Sequence, residues 1–216
     1  TAVHWHGIEL ESWSDGVAGW SGVGDRRAAA IAPGDSFTAR LTLPRAGTFM
    51  YHTHLNDIEQ VTSGLYGPIV VLEPGRRFDP ETDHVFLASW DGLSRPRSLR
   101  RGPDDPPHVM VNGDSLPRTM TLRAGTAHRF RFINIGPAAR QRFSILRDTT
   151  VQTWRALAKD GADLPAAQAT ERPAVQWVAV GEIYDFEFLP LLPGEYALVR
   201  GPDDRKPVLV RRLIVR

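Results

Sequence analysis

The chain has 216 residues, no cysteine and a formal net charge of +1, from 26 basic and 25 acidic groups. No apolar run reaches the roughly 18 residues of a membrane-spanning helix, the balanced charge offers no basic surface for nucleic acid, and disulfides are excluded. The length suffices for one large domain or two modest ones with their own cores.

Residues 2–10 are predicted to form a strand. Successive side chains on a strand point to opposite faces, so His4 and His6 project together while Val3 and Trp5 project the other way. Residues 11–35 read as loop, punctuated by Gly16, Gly19, Gly22, Gly24 and Pro33-Gly34, with Asp15-Gly16 a turn. Residues 36–43 alternate, with Phe37, Ala39, Leu41 and Leu43 on one side and Ser36, Thr38, Arg40 and Thr42 on the other, the pattern of a half-buried strand. After a turn at 44–47, residues 48–54 form the next strand, which places His52 and His54 on one face. Residues 66–72 are a near-continuous apolar run, suited to a strand buried on both faces. These four strands are too few to close a sandwich.

Residues 74–83 are polar and read as a linker between a first domain, 1–73, and a second, 84–216. The first stretch carries 4 basic and 8 acidic groups and residues 74–216 carry 22 and 17, so the two differ in sign of charge. Further strands are predicted at 84–89, 119–123, 127–135, 143–146, 175–180, 184–188, 196–199 and 208–215. Within 127–135, Phe130 and Phe132 face one way and Arg129 and Arg131 the other. Residues 94–107 read as an exposed loop with Arg95–Arg101 solvated, and Asn112-Gly113 favours a tight turn. Residues 153–159 fit either a helical turn or a strand. Many short strands between Gly/Pro turns predict an all-β sandwich.

Chemistry concentrates in two short segments, His4-Trp5-His6-Gly7 and Tyr51-His52-Thr53-His54. They hold four of the seven histidines. One His-x-His pair is common on ordinary surfaces; two pairs on neighbouring strands would make converging imidazole clamps for a metal. Imidazole suits copper, zinc, iron and nickel, so residue type does not choose the metal. A zinc hydrolase would need a general base and an open coordination position, and no carboxylate sits at a suggestive spacing. His84, His108 and His128 have no neighbour in sequence and read as structural or exposed. Glu182 and Asp185 fall on opposite faces of a strand and read as strand-edge polar groups rather than an acid–base pair. Trp90, Trp154 and Trp177 read as core or rim aromatics.

The two histidine motifs, the second within Gly47-Thr48-Phe49-Met50-Tyr51-His52-Thr53-His54, resemble the first two copper-binding motifs of the multicopper oxidases. Asp15-Gly16, Ile31-Ala32-Pro33-Gly34-Asp35 and Gly64-Leu65-Tyr66-Gly67-Pro68 are similar to the family's connecting segments. Val111-Asn112-Gly113, residues 129–134 and Asp160-Gly161-Ala162-Asp163 resemble the middle domain of the three-domain, laccase-like members. The resemblance implies cupredoxin-like Greek-key sandwiches, two in tandem, the first incomplete at its N-terminus. It implies that His4 binds a type 2 copper, that His6, His52 and His54 bind a type 3 pair, and that Asp15 assists proton delivery beside the type 2 copper. It further implies four-electron reduction of dioxygen to water, a phenolic, aromatic or metal-ion electron donor, and a periplasmic or extracellular location. The scarcity of lysine (Lys159 and Lys206 alone) hints at a GC-rich bacterial source.

The departures matter equally. Half of the family's trinuclear ligands and the cysteine of its type 1 site have no counterpart here. The expectation is a part-chain, inactive alone, that needs a further C-terminal cupredoxin domain. The competing reading is a non-catalytic copper-binding or structural cupredoxin module.

Overall fold

The computed structural model of the chain describes residues 1–91, 108–201 and 207–216. In chain order the strands are β1 (Val3–His6), β2 (Gly22–Val23), β3 (Arg26–Arg27), β4 (Gly47–Thr53), β5 (Tyr66–Val71), β6 (Asp83–Trp90), β7 (Val109–Val111), β8 (Arg118–Leu122) and β9 (His128–Asn134). They continue as β10 (Gln141–Arg147), β11 (Thr150–Val151), β12 (Thr153–Lys159), β13 (Ala162–Asp163), β14 (Glu171–Pro173), β15 (Val175–Val178), β16 (Ile183–Phe188), β17 (Gly194–Arg200) and β18 (Val208–Val215). One short helix, α1 (Asp57–Thr62), lies between β4 and β5.

Strands β1, β4 and β5 form an antiparallel sheet with β4 in the centre. The later strands form two larger sheets. One runs β11-β10-β17-β18-β8, with β15 also on β10; the other runs β13-β12-β16-β9-β6-β7, with β14 also on β12. These two face each other across an aromatic core of Phe86, Phe130, Phe132, Phe143, Trp154, Phe186 and Phe188. Trp154 stacks on Phe186 with ring centroids 4.1 Å apart. Burying each such ring contributes about 1.5–3 kcal/mol, which is why β9 turns Phe130 and Phe132 inward. The opposite face of the β9 sheet packs Leu87, Ile133 and Ile183 against Met50 of β4 and Val61 of α1. The histidine-bearing sheet therefore rests on the outside of the larger sandwich.

The polar positions on that outer face are joined as well. Arg131 donates to Asp83, to Thr48 on β4 and to Asp185. Arg129 also donates to Asp185. Asp185 is 1% exposed, so it is a buried anion shared by two guanidinium groups and not a strand-edge polar group. The ladder partner that decides this, Arg131, lies 54 residues earlier in the chain.

Other expectations are corrected. Residues 36–43 keep their alternating burial, with Phe37, Ala39 and Leu41 half-buried between exposed neighbours, but form no strand. Alternation records which side is covered, whereas a strand also requires a partner for its backbone groups. Strand β5 is half-buried rather than enclosed on both faces. It lies at the end of its sheet, where Pro68, lacking an N–H, is tolerated. Strand β1 is short because the chain turns at Gly7, whose φ is +81°. Residues 153–159 form a strand. Helix α1 was not expected: six residues are too few to show a helical period. The 94–107 loop lies outside the described residues.

His84 and His128 are not isolated. The parallel pairing of β6 with β9 brings His84 Nε2 within 3.1 Å of His128 Nδ1. Both are buried, and the backbone N–H of Arg123 donates to His128 Nε2. Trp154 is core, as expected; Trp177 lies at the rim with Arg140 stacked over its ring.

Candidate metal centre

The antiparallel register of β1 on β4 sets His4 opposite His52 and His6 opposite Met50. His4, His6, His52 and His54 therefore share one face. The His4 ring lies 5.6, 5.4 and 5.6 Å, centroid to centroid, from those of His6, His52 and His54. One ligand nitrogen from each of His4, His6 and His52 falls within 4.8 Å of the others. His54 lies just past the end of β4, exposed at the rim. On the opposite face, Trp5 and Tyr51 pack with centroids 5.9 Å apart. Gly67 leaves room for Tyr51, since a Cβ there would meet that ring at 2.6 Å.

Each of the three clustered rings has a neighbour behind it. His52 Nδ1 donates to the Thr53 carbonyl at 2.6 Å. A carbonyl only accepts, so this contact fixes the tautomer and leaves the Nε2 lone pair free. His6 Nδ1 lies 3.3 Å from that Nε2, close to the spacing of two nitrogens that share one ion at about 2.0–2.1 Å from each. His4 Nδ1 lies 2.9 Å from Asp15 Oδ1, a close approach whose angle falls outside hydrogen-bond geometry. Asp15 in turn accepts a hydrogen bond from Ser21 Oγ. The loop carrying Asp15 can press against β1 because of Gly16, with φ +79° and a would-be Cβ only 2.0 Å from the Val3 carbonyl oxygen.

Burial, and then the neighbouring His52 and His4, lower the pKa of His6. Burial also lowers that of His52. Both shifts favour the neutral ring, the form that binds metal. The donor set is entirely nitrogen, which fits the metals that imidazole prefers.

Two contributors come from far along the chain, and the sequence did not single them out for this site. Gly181, in the turn before β16, approaches the His6 ring, and the Asp160 carboxylate acts on it electrostatically. Among the described residues, His84 and His128 form a separate pair and take no part.

A family model described as multicopper oxidase matches residues 1–76. Laccase-1 of Fomitopsis schrenkii is 34% identical over 152 residues, 62% of this chain and 26% of that protein. L-ascorbate oxidase of Cucumis sativus is 38% identical over 94 residues, 41% of this chain and 15% of that protein. The chain thus spans about a quarter or less of these curated relatives. The solved structure of Blue Copper Oxidase from Nitrosomonas europaea superposes on 99% of this chain and 69% of its own, with a TM-score of 0.75 at 24% identity. That last likeness concerns the fold.

Proposed function

Because the chain belongs to the multicopper oxidase family, with its all-β, cupredoxin-like fold, we propose that its histidine face holds copper. His4 would serve a type 2 copper, and His6, His52 and His54 a type 3 pair. The observation that carries this reading is the β1–β4 register, which gathers three imidazoles within 4.8 Å. We further propose a first unit of residues 1–73, a linker at 74–83 and a second unit of 84–216 without a copper site.

Copper held there would supply the redox chemistry by which the complete protein oxidises a phenolic, aromatic or metal-ion donor and reduces dioxygen to water. The chain's own residues prepare for this. The Thr53 carbonyl orients His52 so that Nε2 faces the site. Asp15, backed by Ser21, stands at His4 Nδ1, where it can hold or pass a proton. The chain has no cysteine, so a thiolate-ligated electron entry site and the remaining imidazoles would come from residues beyond these 216. The expected location is periplasmic or extracellular.

The test is a copper titration of the 216-residue chain and of His4→Ala and His52→Ala variants, followed by oxygen uptake with a phenolic donor. Copper binding that depends on these histidines, without turnover, supports the reading. Binding indifferent to them removes it, and robust turnover by the chain alone removes the claim that more of the protein is needed. The lack of cysteine also favours a second reading, a non-catalytic copper-binding module. A natural protein with no thiolate-ligated domain would decide for that alternative.

A further inference from the structure

We propose that Gly181 is a positioning residue for His6: the turn at 179–182 backs the Cε1–Nε2 edge of the ring and so directs Nδ1 toward His52. The inference rests on the reading of His6 as a metal ligand, and gives the later part of the chain a direct hand in that site.

Two close approaches to one ring carry it. Nδ1 lies 3.3 Å from His52 Nε2. A Cβ built on Gly181 would stand 3.3 Å from Cε1 and 3.6 Å from Nε2. A side chain at position 181 would therefore require the ring to move by a few tenths of an ångström.

The turn is built to hold still. Gly181 N–H donates to the Asn134 carbonyl, and Glu182 N–H to the Ala179 carbonyl. Glu182 Oε2 accepts the Ala179 N–H, while Oε1 meets Lys159 Nζ at 2.9 Å. Nearby, Arg45 ties the two parts of the chain together. It donates to the carbonyls of Gly7, next to His6, and of Gly161, on the β12–β13 turn. Gly181 itself has φ +82°, so glycine answers both the backbone and the space requirement there.

The test compares Gly181→Ala with Gly125→Ala in the full chain. Gly125 also has positive φ, +69°, but a Cβ there meets nothing within 4 Å, so it reports backbone strain alone. Two readouts are taken: copper affinity by competition titration, and the 15N ring signals of His6 in metal-free protein, which report its tautomer. The expected result is about 10–100-fold weaker copper binding and altered His6 signals in Gly181→Ala, with both unchanged in Gly125→Ala. Should Gly181→Ala fail to fold, Gly181→Asn tolerates positive φ while still carrying a Cβ, and is read the same way. Wild-type affinity and an unchanged His6 tautomer in the Gly181 variant overturn the proposal, as does equal weakening by Gly125→Ala. If the wild-type chain binds no copper, the metal reading itself has failed, and that is visible before any variant is compared.

Discussion

Arg131 on β9 and Asp185 on β16 face each other in the ladder, with Nη1 3.0 Å from Oδ2 and side chains only 4% and 1% exposed. Thr48, on the strand that carries His52, donates to the same carboxylate oxygen at 2.8 Å. A buried charge pair thus joins the histidine sheet to the large sandwich. Leaving a buried charge wholly uncompensated typically costs about 3–5 kcal/mol; without Asp185, Arg131 would still hold Asp83 and Arg129 is partly solvated, so the cost falls to about 2–3 kcal/mol. Asp185→Ala is therefore expected to lower stability by that amount. The drop is read from the urea midpoint, and a change under about 1 kcal/mol would refute the role given to Asp185.

The His84–His128 pair makes stability depend on pH. Burial, followed by the charge of His128, pushes the pKa of His84 down from 6.5 to about 4. As pH falls below 6.5, the unfolded chain takes up a proton that the folded pair refuses. The stabilisation is therefore complete above that value and is lost between about 6.5 and 4. The loss is on the order of 3 kcal/mol. His84→Gln should flatten the pH dependence of the unfolding midpoint over this window, and a variant with the wild-type slope would count against the pair as its source.

Asp15→Asn retains an oxygen beside His4 but removes the charge. Outer partners of metal ligands typically matter by 10–100-fold, so copper affinity or, in the complete protein, oxygen uptake should fall by about that factor. A pH–rate profile unchanged from wild type would exclude a part for Asp15 in proton handling.

His52→Ala should reduce copper binding sharply with little effect on folding, because the ring is half-buried at the sheet face and its strand is anchored by Met50 and Thr48. Far-ultraviolet dichroism together with copper titration separates the two effects. A variant that unfolds would show that the site and the fold are not independent.

Two histidines spaced one residue apart on a strand must share a face, so the sequence alone determined which side of β1 and β4 carries imidazole. The period of two and the inward phenylalanines of β9 likewise made the all-β sandwich legible. What local pattern could not supply was partnership across distance. The register that sets His4 against His52 comes from pairing strands about fifty residues apart. The contact between His84 and His128 comes from a parallel ladder, and the pairing of Asp185 from Arg131. Residues 36–43 alternate convincingly yet form no ladder, because alternation is written in one segment and hydrogen bonding needs two. Gly181 shows the same limit at the site itself. Nothing local distinguishes that glycine from those of other turns, and only the close approach of two distant parts of the chain places it against His6.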